Sequence, residues 1–417
     1  MNDVAAEASF LDPRVIADPF AFYARAHAGQ PVLKLGQMAI VFRYALCVEA
    51  ALQPELYSNN FQGLLSGARA EDPELKEILE QGWPQVDTLL TADPPRHTRF
   101  RKLVNLAFSS RRVALIEDDI RAITVGLLER MAAHGQADFV ADFAIPLPVA
   151  VIARQLGLGD DPATLAEVKR WSDAFVDRLG QMITHERELE CAREVVAFQH
   201  TVKVQIDARR ERPTEDLLSD LTHACVDDER PLDDAEILSI MQQMMVAGNE
   251  TTTSALTGGL LQLMQNPEQL ERAVAAVDGG DDRLILNLVE EVLRTESPTS
   301  GMWRLVTRDT ELGGEQLPAG TMVQLRYAAA NRDPAQYADP DRFDIGRANA
   351  RTHLAFGKGI HMCVGNMLSR KEMQVGFTEL LRRLTGFRLA DGHVPEWPPN
   401  ILLRGLPTLP ITFEARA

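Results

Sequence analysis

Between Asp233 and Pro267 the chain reads as one uninterrupted helix, and that length sets the size of the body able to surround it. Asp233 is followed three residues later by Glu236, a capping-box start in which each side chain bonds the other's backbone N–H. The apolar residues Ile237, Ile240, Met241, Met244 and Met245 then recur at helical spacing. Asn266-Pro267 ends the run, because the residue before a proline is pushed out of helical geometry. About 33 residues at about 1.5 Å each span about 50 Å, enough to cross a whole domain. The middle is poor helix text: Ala247-Gly248-Asn249-Glu250-Thr251-Thr252-Thr253 sets a glycine, an acid and three β-branched hydroxyl residues where leucine and alanine would serve better. Threonine hydroxyls bond back to carbonyls one turn earlier, so a local bulge is expected there.

Helical periodicity also dominates the rest of residues 111–296, while strand-like text is confined to residues 32–42, with a turn at Gly36, and to 304–310, 322–325 and 406–413. The expectation is a mainly α protein with small β-sheets. Its 417 residues would allow two or three domains, but no repeat, linker or charge block divides them, and residues 1–417 read as a single domain. Lys+Arg 43 against Asp+Glu 60 leaves a net charge of -17, which argues against nucleic acid and anionic membranes as partners. Cys47, Cys191, Cys225 and Cys363 lie far apart and make no disulfide framework. The acidic start of the chain is unlike a signal peptide and no apolar run approaches a membrane span, so a cytoplasmic location is expected.

Residues 356–365 carry the densest chemistry: Phe356, Gly357, Lys358, Gly359, Ile360, His361, Met362, Cys363, Val364, Gly365. Glycines on both sides of a cysteine let backbone approach a flat partner closely, and residues 366–384 read as a helix whose N-terminus lowers a nearby thiol's pKa. Zinc would need further ligands close by, and a phosphate loop would need Ser or Thr where Gly359 stands. A lone cysteine in a turn is ordinarily an inert thiol. This segment, however, resembles the haem-binding signature of the cytochrome P450 family, FGxGxHxCxG, at every fixed position. The resemblance implies that Cys363 is the axial thiolate of haem b, that His361 bonds a haem propionate, that Phe356 packs beside the thiolate, and that Gly357 and Gly365 give the haem room.

Other segments resemble the family in its own order over nearly the whole chain. Glu291-Val292-Leu293-Arg294 is similar to its ExxR motif, and Arg342, in Pro340-Asp341-Arg342-Phe343, is similar to the arginine completing a structural Glu-Arg-Arg cluster. His97 and Arg101, one helical turn apart, and Arg304 resemble its propionate-binding residues. In the long helix, Ala247 and Gly248 are similar to the small pair over the haem, Glu250 to a proton-relay acid, and Thr251 to the threonine that hydrogen-bonds the oxygen being split. The fold so implied is the cytochrome P450 fold, with haem between the long helix and the cysteine segment.

The activity implied is monooxygenation, in which one atom of O2 enters a hydrophobic small molecule and the other leaves as water. Family placement makes Met244, Val246, Thr299, Met302, Leu402 and Leu403 substrate contacts, with a lid over residues 57–92 containing Phe61, Leu64, Leu65, Trp83, Leu89 and Leu90. Electrons would come from an external ferredoxin or flavodoxin with its reductase. Such a carrier is commonly acidic, so docking on a chain of charge -17 calls for a local basic patch, to which Arg99, Lys102, Arg111, Arg112, Lys358, Arg370 and Lys371 are assigned. A peroxide-driven haem enzyme and a non-enzymatic haem-thiolate sensor are the alternatives; Glu250-Thr251 argues against both.

Overall fold

Gly36, at φ 61, turns the chain between β1 (Val32–Leu35) and β2 (Met38–Val41), a left-handed conformation that glycine adopts without a Cβ penalty. The remaining strands are β3 (Tyr57–Ser58), β4 (Gln136–Asp138), β5 (Met302–Val306), β6 (Thr310–Leu312), β7 (Glu315–Leu317), β8 (Met322–Leu325), β9 (Leu384–Leu389) and β10 (Pro410–Ala415). They form sheets of order β1-β2-β8-β5-β3, β4-β10-β9 and β6-β7. In the largest sheet β2 runs parallel to β8, and the other pairs are antiparallel. The structure, a computed structural model, describes residues 10–61, 72–108, 110–180, 183–225 and 230–416, and helices make up most of them.

The chain divides into two compact units. The first comprises residues 1–58, 117–147 and 250–417. It contains the three sheets found among the described residues, with Val32, Val41, Val306, Val323 and Leu325 buried in a core with Cys47 and Tyr57. Two further helices matter for the site, Asp282–Glu296 and Asn366–Arg383, the latter starting three residues after Cys363. The second unit comprises residues 59–116 and 148–249 and is helical, with Trp171 and Phe175 packed on Phe198 between helices Pro162–Gly180 and His185–Glu211.

The long helix spans Asp234–Gln265 and contributes to both units. Its capping box is present in both directions, Glu236 N–H donating to Asp233 Oδ1 at 2.9 Å and Asp233 N–H to Glu236 Oε2 at 3.0 Å. The expected bulge is absent, and residues 247–253 stay α-helical. The reason lies in where the hydroxyls go. Thr253 donates to the Ala144 carbonyl at 2.9 Å and Thr252 pairs with Ser369 Oγ at 3.1 Å, so these two do not compete for the helix's own carbonyls, and the back-bond that Ser254 does make, to the Glu250 carbonyl, leaves the ladder α-helical. The irregularity falls instead on the π turn Val140–Ala144 that presents that carbonyl. Gly258 and Gly259 are required by close packing: a Cβ at Gly258 would come within 2.5 Å of Glu296 Oε2, and one at Gly259 within 2.5 Å of Phe377.

Candidate functional site

Cys363 is half-buried, and its position is set by backbone bonds on both sides. Its N–H donates to the Phe356 carbonyl at 2.9 Å, and its carbonyl accepts from Asn366 Nδ2 at 2.6 Å. Gly357 and Gly359 hold φ of 69 and 77, and a side chain at Gly359 would strike the Ala51 carbonyl. At Gly365 an added Cβ would meet nothing within 4 Å. One thiol at the start of a helix, beside open space, cannot saturate a bare ion, and no group of three metal-ligating side chains occurs among the described residues. This donor set fits a group that brings its other ligands with it, as a macrocycle does. Cys47 and Cys191 are less suited, since burial pushes their thiols up and disfavours the thiolate.

Glu291 and Arg294 form an ion pair whose side chains are both 0% exposed, with N···O distances of 2.8 Å at each oxygen. The third member differs from the sequence expectation. Arg347, not Arg342, donates to Glu291 Oε1, at 3.0 Å. Arg342 has an exposed side chain and takes part through its carbonyl, which accepts from Arg294 Nη2 at 3.2 Å and Arg347 Nη2 at 2.8 Å. The segment folds back so that the later arginine points inward. Spacing within Pro340-Asp341-Arg342-Phe343 carries no signal of that reversal.

In the first unit the structure brings several expected residues near one another. Arg304 on β5 is buried and donates to the Trp303 carbonyl at 2.7 Å. Its charge acts on the buried Tyr327, whose hydroxyl would lie 3.4 Å from a Cβ at Gly357, so a tyrosine not singled out by its sequence stands beside the cysteine segment. Thr299 and Leu403 form an antiparallel bridge, and Ser300 N–H donates to the Leu402 carbonyl at 2.7 Å. Thr299, Met302, Leu402 and Leu403 are each half-buried, the accessibility a pocket wall needs. A Cβ at Gly405 would overlap Ser254, whose hydroxyl donates to the Glu250 carbonyl at 2.8 Å, so this C-terminal loop lies against the helix one turn beyond Glu250 and Thr251. Both of those residues are half-buried. His361 and Phe356 flank the cysteine within its own segment.

In the second unit His97 and Arg101 share a face of helix Arg96–Ala107. Burial lowers the His97 pKa and the adjacent Arg101 charge lowers it further, which keeps the imidazole neutral at pH 7. Met244 is buried, Val246 and Gly248 are half-buried and Ala247 is exposed in mid-helix. Of the expected lid, Leu64 and Leu65 lie outside the described residues. Residues 83–90 are held down, Trp83 N–H by Gln199 at 2.9 Å, Val86 N–H by Ser239 at 2.9 Å and Leu90 N–H by Gln243 at 3.2 Å.

The basic patch needs correction. Arg99 pairs with Glu236 at 3.0 Å, Arg370 with Glu290 at 2.7 Å and Lys371 with Glu117 at 2.7 Å, so all three are committed internally. Lys102 and Lys358 are exposed, and the Arg111 and Arg112 side chains lie outside the described ones.

Glu372, on the cysteine helix, is a further buried group that sequence spacing did not single out. Burial pushes its carboxyl up to about 8, well above the ordinary 4.5. The folded chain therefore holds a proton that the unfolded chain releases between those values, and stability falls as pH rises through that window, at up to about 1.4 kcal/mol per pH unit. Glu372→Gln abolishes this slope. Melting temperatures across the window should diverge, the variant overtaking the parent toward its alkaline end; parallel curves would place an ionised glutamate in the core.

The cytochrome P450 family model matches residues 164–398. A steroid C26-monooxygenase of Mycobacterium tuberculosis is 35% identical over 395 residues, 94% of this chain and 93% of the relative. A 6-deoxyerythronolide B hydroxylase of Saccharopolyspora erythraea is 36% identical over 325 residues, 78% of this chain and 77% of that one. Among solved structures, cytochrome P450 CYP109Q5 from Chondromyces apiculatus superposes with a TM-score of 0.83 at 34% identity, covering 98% of both chains. No helix among the described residues is long and apolar enough to cross a membrane. A match over more than half the chain, relatives above 30% identity across most of it, and a cysteine segment with the donor chemistry described above place this protein in the cytochrome P450 family, haem-thiolate monooxygenases that use O2 to hydroxylate small organic molecules.

Proposed function

We propose that residues 1–417 form a single monooxygenase domain in which the Cys363 thiolate would hold the haem, and that the substrate is a hydrophobic small molecule. The observation that carries this is the cysteine segment, with both backbone groups of Cys363 tied and glycine on either side. When bound, the haem supplies dioxygen activation, driven by electron release from the thiolate.

The chain's own residues divide the remaining work. His97, Arg101, Arg304 and His361 would hold the haem propionates, and the small residues Ala247 and Gly248 would leave the haem room. Glu250 passes protons from solvent toward the oxygen site, and the Thr251 hydroxyl orders the water that receives them. Met244, Val246, Thr299, Met302, Leu402 and Leu403 line the substrate pocket, where apolar walls exclude bulk water. A cytoplasmic ferredoxin or flavodoxin with its reductase delivers the electrons, with Lys358 at the edge of its docking surface.

Thr251→Ala tests the relay. Electron consumption should continue while product per electron falls about tenfold and hydrogen peroxide appears, a change equivalent to about 1.4 kcal/mol in partitioning. Undiminished coupling would move the relay to another residue. For the substrate, steroids and 6-deoxyerythronolide B, named for the relatives above, are first choices in a screen for conversion of the ferric haem to high spin, followed by product analysis.

A further inference from the structure

Glu290 and Glu291 are neighbours on one helix yet hold different segments of the first unit. Glu291 holds residues 338–347 through Arg294 and Arg347. Glu290, 6% exposed, faces the cysteine segment. Its Oε1 accepts from Arg370 Nε at 2.7 Å and its Oε2 from Arg370 Nη2 at 3.1 Å, a bidentate fork. Oε2 also accepts from His353 Nε2 at 3.0 Å. Because His353 Nδ1 accepts the Ala355 N–H at 3.1 Å, the ring proton sits on Nε2. Burial would raise the Glu290 carboxyl, but the bonds from His353 and Arg370 hold it down to about 2, and burial lowers the His353 pKa. The Glu290 carboxylate, the part-buried Arg370 guanidinium and a neutral imidazole therefore share this site, with the exposed Arg351 guanidinium 3.7 Å from Glu290 at its edge.

Arg370 then reaches the cysteine by two routes. Its guanidinium lies over the Phe356 ring, 4.5 Å from the centroid, and the Phe356 carbonyl accepts the Cys363 N–H. Its Nη1 donates to Asn366 Oδ1 at 2.7 Å, and Asn366 Nδ2 donates to the Cys363 carbonyl. His353 packs on the same Phe356 ring at 5.7 Å. Both backbone polar groups of Cys363 are thus held by residues that Arg370 itself contacts.

We propose that Glu290, Arg370 and His353 are positioning residues for the thiolate, fixing Cys363 through Phe356 and Asn366 and placing one guanidinium charge, tempered by one carboxylate, where it biases reduction of the iron. This rests on Cys363 being the ligand. Outer-shell partners of this kind tune a metal through charge and orientation. A cation favours the reduced, more negative state, and a nearby carboxylate opposes it.

The test is the reduction potential and ferrous-CO spectrum of haem-loaded variants. Arg370→Met leaves the carboxylate alone, and the reduced-to-oxidised ratio at a fixed solution potential should fall about tenfold, equivalent to about 59 mV for one electron. Glu290→Gln leaves the guanidinium alone, and the ratio should rise. The double variant should return toward the parent. Loss of packing alone would move both single variants the same way, so shifts of one sign, or none, overturn the proposal. Should Arg370→Met fail to take up haem, Arg370→Lys keeps the charge but loses the fork and the planar stack: its ratio should stay within about twofold of the parent while a fraction of the ferrous-CO complex absorbs at the unshifted position. A Lys variant identical to the parent in both respects also overturns it. Failure of the ligand assignment is distinguishable, because there the shifted band would persist without Cys363.

Discussion

Cys363→Ser should abolish the red-shifted ferrous-CO band and lower substrate oxidation by more than about 100-fold, equivalent to about 2.7 kcal/mol of barrier. Serine nearly preserves the side chain's shape. The bonds that position this residue are made by its backbone, to Phe356 and from Asn366, and survive the exchange. What is lost is the soft, electron-releasing sulfur, so the effect isolates ligation from folding. Haem uptake should weaken without disappearing, since the residues proposed to hold the propionates, His97, Arg101, Arg304 and His361, remain. Persistence of the shifted band would move the ligand to another cysteine, against the physical case for Cys47 and Cys191, whose burial disfavours their thiolates.

The second large effect is on folding. Glu291→Ala should leave Arg294, fully buried, and Arg347, with a side chain 9% exposed, without their carboxylate. Breaking a buried pair from one side costs about 3–5 kcal/mol, a large part of the total stability of about 5–15 kcal/mol typical of a domain. Glu291 also accepts the Asp344 N–H at 3.0 Å, so residues 338–347 lose an anchor as well. Little haem-loaded protein should accumulate, and what does should unfold at markedly lower urea. The two arginines separate the sequence expectation from the structure. Arg347→Ala should be costly, whereas Arg342→Ala, whose contribution is a main-chain carbonyl, should stay within about 0.5 kcal/mol of the parent. Equal losses at both positions would restore Arg342 to the cluster.

Legibility followed the range of the interactions involved. The long helix and its capping box were readable because both depend on residues three or four apart. Strands β1, β2 and β8 were readable from alternation and from Gly36, whereas β4 and β7, three residues each, were too short to show a pattern. The bulge expectation failed because intrinsic helix propensity cannot report that Ala144 and Ser369 would take up the threonine hydroxyls. Three of the seven residues assigned to the docking patch proved internally paired for the same reason, since the acids partnering Arg99, Arg370 and Lys371 are far away along the chain.

Family, cofactor chemistry and the identity of the thiol were determined by the sequence alone, because a ten-residue segment built around one cysteine leaves few alternatives for what it can bind. Only the tertiary structure decided which arginine completes the Glu291 cluster, that Tyr327 stands beside Gly357 in the cysteine segment, and that Glu290, Arg370 and His353 stand behind Cys363. Those partnerships join residues between 30 and 80 positions apart. Their charges are compensated only once the chain has folded, and no local pattern encodes which distant group will do it.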